Sequence, residues 1–496
     1  MRKAYNLLWV ILGIVMITGC KTEEDYRKER AVNAVRYFHE SKIRNRVLTE
    51  DVRLTLAQCI KIGLEHNLDL KVQKQEEDIA AEMRTAEFLG MLPEINLNNS
   101  FNARSNTPAS SSKAYKADGA TYEASQNQDK DINSFNIDFA LSVMDFGLAF
   151  FNSQQAQDRV LLRRQRTERM KQNLTMDIIN AYCRVAAAQR AQGITTGLIN
   201  ESKDYQKRLK GLVQSRKITP FRAFEATRKF AEMERRLKAY TLDYQNACAE
   251  LRSLLGFYPS AMIEVDDTFL DTVPTLTLPK LEVMEQIALI KRPELTESDL
   301  KRHISIVEWR KTILSMFPNT RIFMDYNNVN NSFLYNQNWW DFGIQAAFNL
   351  LKLPQKIAVA LAHDEQADAE KYRAYGQSIA VIAQVRIAQS DIYANKDNYV
   401  RAKKSYENYK RALVSAQRNV NIAAGGVPRI EIDHMRLTTA EANIEYALAT
   451  ADYYVSFYRL LNTMGIGEAN LQKFNTLPAE LKKAEKEAEI VIAGGK

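Results

Sequence analysis

The sequence predicts an internally duplicated membrane protein of mixed α and β class. In this fold, long antiparallel coiled-coil helices form an α-barrel, and four strands per chain contribute to a twelve-stranded trimeric transmembrane β-barrel. Three features carry the prediction: a long-period repeat, two long segments without proline, and four short segments in which apolar and polar residues alternate.

The repeat relates residues 281–325 to residues 56–100 at a constant offset of 225. Leu295 corresponds to Leu70 and Pro318 to Pro93, and "ITPFRA" at 218–223 corresponds to "GVPRIE" at 426–431 at an offset near 208. Such self-similarity indicates one structural unit that occurs twice. We expect each unit to contain a helix, a proline, a strand, a loop, a second strand, a very long helix, a proline turn and a returning helix.

The repeat divides the chain into five segments. They are a signal peptide at 1–19, a lipid-anchored linker at 20–53, a first repeat at 54–280, a second repeat at 281–467 and a charged tail at 468–496. The tail contains the run "KKAEKEAE", which indicates a solvated helix or partial disorder.

The first twenty residues have the pattern of a secretory signal. Arg2 and Lys3 provide the positive start, and residues 7–17 are apolar but too few to span a bilayer comfortably. The stretch closes on "ITGC", which resembles the lipobox of bacterial lipoproteins and makes Cys20 the expected lipid-modified first residue. The alternative is an ordinary signal peptide followed by an incidental cysteine.

Composition and charge further restrict the class of protein to which the chain can belong. After Cys20 no apolar run approaches the length of a membrane helix, so the mature protein reaches a membrane by acyl chains, by β-strands or not at all. The net charge of +8 is spread over helices that also carry acidic residues, which is typical of a solvated surface and argues against a nucleic-acid partner. Cys59, Cys183 and Cys248 are best interpreted as small buried residues, and the 5 histidines show no metal-ligand spacing.

Two segments of about seventy residues contain no proline, at 148–218 and 355–427. At a rise of ~1.5 Å per residue, a helix of this length reaches roughly 105 Å. An apolar period of 3.5 residues predicts left-handed coiled-coil packing. The second segment carries it through Tyr399, Ala402, Tyr406, Tyr409, Leu413, Ala416 and Val420, and the first keeps Ile194, Leu198, Tyr205 and Leu212 with interruptions at Glu201 and Arg208.

Pro220 and Pro428 mark the points at which the long helices reverse, since proline suits the first turn of a returning helix. The returning helices, at 220–255 and 428–464, are only half as long. We expect helices at 54–91 and 281–316 to supply the missing halves. This arrangement predicts a rod with the proline turns at one end and all the strands at the other.

Four segments alternate with period two, at about 94–104, 133–144, 319–329 and 338–350. Strands of this length with one apolar face and one face rich in Asn and Ser favour a transmembrane barrel with a wet interior. Trp339 and Trp340 indicate an aromatic girdle at the membrane interface. The alternative is a soluble antiparallel sheet that is packed on one side.

Four strands cannot close a barrel, and an open sheet edge in lipid leaves backbone groups without hydrogen bonds. Several copies must therefore contribute, and three copies supply twelve strands.

The doubled "L…N/RPEL…P" pattern and the doubled hairpin tips resemble the TolC-like outer-membrane efflux proteins over residues 54–465, and the lipobox is similar to that of their lipoprotein branch. The resemblance implies a homotrimer with its β-barrel in the outer membrane of a Gram-negative bacterium and its α-barrel in the periplasm. It implies the exit duct of a tripartite efflux or type I secretion system, which docks onto a periplasmic adaptor (membrane fusion) protein and serves an inner-membrane RND or ABC transporter. No cofactor is expected besides a covalent lipid, such as palmitate, on Cys20.

The resemblance also implies functional residues. Adaptor-docking hairpin tips are expected at Ile218, Thr219 and Pro220 and at Gly425, Gly426, Val427 and Pro428. The first tip departs from the family pattern, because Arg216 and Lys217 stand where a glycine motif is usual. A candidate lumen gate is expected at Glu431 and Asp433; the alternative is that these acids only complement the dipole of an exposed helix N-terminus.

A function of another class remains as an alternative, a lipid-anchored periplasmic coiled-coil scaffold without a pore. A scaffold has no need of four amphipathic strands, so we favour the duct. We also predict that the protein is not an enzyme, since the sequence contains no nucleophile constellation, Gly-rich phosphate loop or metal-ligand spacing.

Overall fold

The computed structural model describes residues 22–44, 53–111, 123–216, 218–258, 263–271, 278–418 and 429–466. These residues form two compact units, each built from parts of both repeats. The hairpin unit draws on the described residues within 1–69, 171–287 and 384–496, and the strand unit on those within 70–170 and 288–383.

Helices dominate the described part of the chain. They are α1 Glu23–Arg44, α2 Leu56–His66, α3 Leu68–Leu89, α4 Val143–Gln214, α5 Pro220–Leu254, α6 Leu281–Lys291, α7 Pro293–Leu314, α8 Leu353–Arg418 and α9 Arg429–Thr463. The strands are β1 Glu94–Ala103, β2 Ala109–Ser110, β3 Ser125–Gln126, β4 Asp131–Ser142, β5 Asn319–Val329 and β6 Asn338–Ala347. Within the ranges that the structure describes, no helix combines the length and the apolar character that crossing a membrane requires.

The duplication is confirmed by the helix lengths. Helices α2 and α6 have 11 residues each, α3 and α7 have 22 each, and α5 and α9 have 35 each. Both 35-residue helices are followed by a glycine with positive φ, +79° at Gly256 and +70° at Gly465. The next residue then donates its N–H back into the helix, over 2.9 Å from Phe257 to Arg252 and over 3.1 Å from Ile466 to Leu461. The two repeats therefore use the same C-terminal cap.

The prediction of one continuous helix over 54–91 and over 281–316 is wrong. A non-helical residue interrupts each segment, Asn67 with ψ 129° in the first repeat and Arg292 with ψ 124° in the second. Pro293 accounts for the second break, because a proline disfavours the α conformation in the residue before it. At the first break the Asn67 side chain donates to the carbonyl of Leu254 over 3.1 Å, which fastens the bend to the end of α5.

Four strands form one antiparallel sheet in the order β1-β4-β5-β6, so β1 and β6 are its edges. Two of the predicted strand ends are too late. β4 stops at Ser142 instead of 144, because the Ser142 hydroxyl accepts the N–H of Asp145 over 3.2 Å and caps α4. β6 stops at Ala347 instead of 350, because Asn349 caps a short 3₁₀ turn by accepting the N–H of Lys352 over 3.3 Å.

In the hairpin unit, apolar residues that recur along the long helices pack against the neighbouring helices. On α8, Tyr399 and Tyr406 lie 5.8 and 5.9 Å, centroid to centroid, from the ring of Tyr446 on α9. On α4, Leu198 and Tyr205 are buried in a cluster that α5 and α9 complete with Phe230, Leu437 and Ile444. Tyr409 departs from the pattern, since its side chain is exposed.

Candidate functional site: hairpin tip, ion pairs and a two-faced sheet

The first hairpin tip lies in the described part of the chain; Cys20 and the second tip, 425–428, lie outside it. The side chain of Thr219 caps α5 by accepting the N–H of Arg222 over 3.4 Å, and Pro220 occupies the first turn. Ile218 is partly buried against the apolar cluster around Tyr205. The tip residues therefore form the turn that the proline predicts.

Two aromatic side chains that the sequence analysis did not single out follow this turn. Phe221 and Phe224 are 69% and 67% exposed. They are three residues apart and so lie on one face of α5. The sequence signal that could have identified them is a pair of phenylalanines, three residues apart, directly after the proline of the turn. The tip thus presents apolar surface to its surroundings.

The two candidate gate acids have different environments. Glu431 is exposed in the first turn of α9. Asp433 is mostly buried, and its Oδ2 accepts a hydrogen bond from Nη2 of Arg208 on α4 over 2.9 Å. A second ion pair joins the same helices over 3.5 Å, between Arg436 and Glu201. The residues that interrupt the apolar period of α4, Glu201 and Arg208, are therefore the ion-pair partners of α9.

An aromatic cluster lies beside the Arg208–Asp433 pair. The rings of Tyr205 and Phe230 are 3.9 Å apart, and His434 stands edge-on to Phe230 at 6.4 Å. Burial, reinforced by the charge of Asp433, raises the pKa of the Tyr205 phenol to about 12, so the hydroxyl stays protonated at neutral pH. Helices α4, α5 and α9 are thus joined near the first tip by apolar contact and by ion pairs.

One face of the sheet is apolar. The register places Leu97, Ile137, Tyr326 and Trp340 in one row and Ile95, Phe139, Met324 and Phe342 in another. In a single chain much of this face is open: Leu97 is 68% and Ile344 is 74% exposed. A continuous apolar surface of this kind requires lipid or a protein partner to cover it.

The opposite face carries an unbroken polar row. Asn96 pairs with Asp138, Asp138 with Asp325, and Asp325 with Asp341. Nη2 of Arg321 lies 2.7 Å from Oδ2 of Asp138 and supplies a positive charge. The sequence shows each aspartate on the polar side of its strand, but only the strand order and register bring the three into line. Like charges directly opposite one another destabilise a sheet, so the stability of the sheet does not explain why three aspartates stand in this row.

Two aromatic residues lie on the polar face of the sheet. Phe323 lies on the polar side above Gly343, where a Cβ would come within 2.3 Å of the Phe323 ring. Trp339 also belongs to the polar side and donates its Nε1–H to Asp341 over 2.9 Å. Of the two expected girdle tryptophans, only Trp340 therefore lies on the apolar face.

Hydrogen bonds fasten the two strand-to-strand connections to each other. The hydroxyl of Ser332 donates to Oδ1 of Asp129 over 2.8 Å, and Oδ1 of Asn331 accepts the N–H of Asp129 over 3.1 Å. The hydrogen bonds from Ser332 lower the pKa of Asp129. The described part of the first connection at Asp129 is therefore held against the second connection at Asn331 and Ser332.

Comparisons with known proteins agree with this architecture. The model of the outer membrane efflux protein family matches residues 60–257. No curated protein matches the sequence. Among solved structures, the outer-membrane channel OprN is 15% identical with a TM-score of 0.64, covering 83% of this chain and 90% of its own. CusC, whose structures concern transmembrane channel formation, is 14% identical with a TM-score of 0.66, covering 84% and 94%.

A third structure, the Campylobacter jejuni outer membrane channel CmeC, is 14% identical with a TM-score of 0.63 and covers 87% of this chain and 89% of its own. At these sequence identities the structural similarity establishes the fold. The family match over residues 60–257 supports the same fold from the sequence. Residues 60–257 therefore match the outer membrane efflux protein family, and the chain has the fold of outer-membrane channels such as OprN and CusC.

Proposed function

We propose that the protein is the outer-membrane exit duct of a tripartite efflux or type I secretion system. One observation carries the proposal: a four-stranded sheet with an exposed apolar face, a polar face and two edge strands. An apolar face suits lipid and a polar face suits a water-filled lumen. The fold shared with the outer-membrane channels OprN and CmeC supports the same function.

The duct is a homotrimer in this proposal. In lipid, the edges β1 and β6 of a single chain would leave backbone groups without hydrogen bonds, at a cost of roughly several kcal/mol each. Three copies supply twelve strands and allow β1 of each copy to pair with β6 of the next. The same closure brings three copies of the Asp138, Asp325 and Asp341 row around one lumen.

At the periplasmic end, the hairpin tips dock onto an adaptor protein that is coupled to an inner-membrane pump. The exposed rings of Phe221 and Phe224 beside the first tip support this assignment, since aromatic side chains are frequent anchors of protein interfaces. A lipid on Cys20 gives the chain a second attachment to the outer membrane. Replacement of Cys20 by Ser is expected to abolish acyl labelling and leave an uncleaved precursor; efficient labelling of that variant contradicts the assignment.

The scaffold alternative leaves the apolar face of the sheet unexplained, because a periplasmic coiled coil would expose Leu97 and Ile344 to water. Adjacent residues of β1 provide a matched test, since Leu97 lies on the apolar face and Asn98 on the polar one. A lysine on a lipid-facing strand position costs about 2–4 kcal/mol near the bilayer centre, whereas a lumen position tolerates it.

We therefore expect Leu97→Lys to reduce the amount of protein that stays in outer membranes after a urea wash, and Asn98→Lys to leave that amount unchanged. Equal retention of the two variants would mean that the apolar face does not contact lipid. The duct proposal would then be wrong.

A further inference from the structure

A cavity of about 150 Å³ lies within the hairpin unit, between α4, α9, the start of α2 and the segment 263–271. Four of the side chains that line it are aromatic and a fifth is a carboxylate; they are Tyr182, Phe269, Tyr454, Tyr458 and Asp266. None of its described lining residues is Lys, Arg or His, and none belongs to the sheet on which the proposed duct rests. A ligand in this cavity is therefore independent of the duct.

Hydrogen bonds hold the walls of the cavity in place. The hydroxyl of Tyr182 on α4 donates to the carbonyl oxygens of Asp266 and Leu54, at 2.7 and 3.1 Å. The backbone N–H of Leu54 donates to the carbonyl of Glu264 over 3.0 Å, and the Leu54 carbonyl accepts the N–H of Asp266 over 3.0 Å. These bonds join α4, the start of α2 and the segment 263–271. A site that is already formed does not have to be ordered when a ligand binds.

The aromatic rings stand at different angles to one another. The rings of Phe269 and Tyr454 are nearly perpendicular, at 86°, with their centroids 5.0 Å apart. The ring of Tyr182 lies 6.0 Å from that of Phe269 at an angle of 33°. Each aromatic ring carries a negative face and a positive edge. Several rings around one space form the kind of cage that recognises quaternary and methylated ammonium groups.

Asp266 gives the lining a negative formal charge. The side chain of Arg190 pairs with the same segment of the chain, but it does so with Asp267 over 3.0 Å and with Asp271 over 2.8 Å. Two other carboxylates therefore offset the positive charge of Arg190. A carboxylate among aromatic rings favours a cation over an anion.

The phenols that line the cavity add no charge. Burial raises the pKa of the Tyr454 phenol to about 12, and it also raises the pKa values of Tyr182 and Tyr458. All three hydroxyls therefore stay protonated at neutral pH. Among the described lining residues, Asp266 is the charged group.

The cavity has room for a small organic molecule. A cavity of about 150 Å³ with apolar walls accommodates benzene, and a trimethylammonium group is similar in size. Tyr182 and Tyr458 are buried, whereas Thr55, another lining residue, is exposed. The cavity therefore extends from the surface of the hairpin unit towards its interior, which gives a ligand a path of entry.

The start of α2 acts in the opposite direction, because the free N–H groups of a helix N-terminus favour anions. A capping box satisfies two of these donors. The side chain of Thr55 accepts the N–H of Gln58 over 3.4 Å, and the side chain of Gln58 accepts the N–H of Thr55 over 2.9 Å. The end of a helix carries only a partial charge, whereas a carboxylate carries a full one. The balance therefore favours a cation.

We propose that this cavity is an aromatic cage for a small methylated ammonium cation, of the chemical class to which choline belongs. The rings surround the methyl groups, and Asp266 balances the charge. A metal ion fits less well, since the part of the chain that the structure describes contains no group of three or more His, Cys, Asp or Glu residues that could hold one. A neutral aromatic molecule would fill the same volume, but it would not use the carboxylate.

Choline and its neutral isostere provide the test. The isostere, 3,3-dimethyl-1-butanol, has the shape of choline with a carbon atom in place of the charged nitrogen. We expect isothermal titration calorimetry of the protein, purified in a maltoside detergent that carries no ammonium group, to show saturable binding of choline. The isostere should bind about tenfold more weakly, because a cation gains free energy from aromatic rings that a neutral group does not.

Two pairs of variants locate the binding. Phe269→Leu removes a lining ring but keeps apolar volume, and Phe257→Leu is its control, since Phe257 is buried in the same unit and does not line the cavity. Asp266→Asn removes the lining carboxylate, and its control Asp271→Asn removes a carboxylate that pairs with Arg190 instead. We expect the affinity for choline to fall roughly fivefold in Phe269→Leu and in Asp266→Asn, and to stay unchanged in both controls.

Absence of choline binding to the unmodified protein would overturn the proposal, and so would an equal affinity for the isostere. Choline binding that neither Phe269→Leu nor Asp266→Asn weakens would also overturn it, because the cation would then bind elsewhere. Circular dichroism checks that each variant is folded. Should Phe269→Leu fail to fold, the comparison with the isostere and the affinity of Asp266→Asn decide the question.

Discussion

Removal of the Arg208 side chain is expected to favour the open state of the duct. We expect the candidate lumen gate at Glu431 and Asp433 to be closed while α9 lies against α4. The bond from Arg208 Nη2 to Asp433 Oδ2, 2.9 Å long, joins these two helices. Arg208 is half exposed and Asp433 is 18% exposed, so the pair is partly screened by water. A pair in this setting contributes about 1 kcal/mol.

A trimer contains three such pairs, and they act together if all three copies must open. Loss of about 3 kcal/mol raises the ratio of open to closed states by roughly 100-fold, because each ~1.4 kcal/mol corresponds to a factor of ten. The assay is the open probability of Arg208→Ala channels in planar lipid bilayers.

Arg184→Ala is the matched control. Arg184 forms a 2.8 Å pair with Glu250 on α5, in which both side chains are about half exposed, but this pair does not involve α9. We expect its open probability to equal that of the unmodified channel. An open probability of Arg208→Ala that is also unchanged would mean that this ion pair does not hold the gate closed, and Asp433 would then act only as a charge near a helix end.

Gly256→Ala should lower the thermal unfolding midpoint, since φ +79° costs a non-glycine residue about 1–2 kcal/mol and the new Cβ would lie 2.6 Å from the His66 carbonyl oxygen; an unchanged midpoint contradicts this. The triple variant Asp138→Asn/Asp325→Asn/Asp341→Asn should have a lower K⁺-over-Cl⁻ permeability ratio in bilayers, because rings of negative charge attract cations. A ratio equal to that of the unmodified channel would mean that the row does not face the lumen. Burial raises the pKa of the Cys183 thiol to about 12, so maleimide at pH 8 should label it only after unfolding; rapid labelling of the folded protein argues against the burial.

Much of the fold follows from local sequence signals. Alternation of apolar and polar residues located all four strands of the sheet, because a strand half in contact with lipid or core must place every second residue on the same side. The repeat located the paired helices, and Pro220 located the start of α5. These features depend on residues close together in the chain, which is why the sequence alone predicts them.

The features that the sequence did not predict depend on partners distant in the chain. Glu201 and Arg208 interrupt an apolar period, and only the position of α9 explains their charges. Phe323 contradicts the alternation of β5 until Gly343 on the neighbouring strand provides the space for its ring. The break at Asn67 carries no proline and depends on a hydrogen bond to Leu254.

The aspartate row illustrates the same limit for the candidate site. Asp138, Asp325 and Asp341 lie on three strands, and a shift of one residue in either pairing would move the affected side chains to the other face. Their alignment therefore requires the register, which alternation within each strand does not determine.

The most direct test of the exit-duct assignment is the current carried by the purified protein in planar lipid bilayers, measured on the fraction of trimer mass. We expect discrete current steps from this fraction and none from a fraction of monomer mass, because four strands with two open edges cannot enclose a lumen. A trimer that inserts into the bilayer without carrying current would contradict the assignment, as would a monomer that conducts.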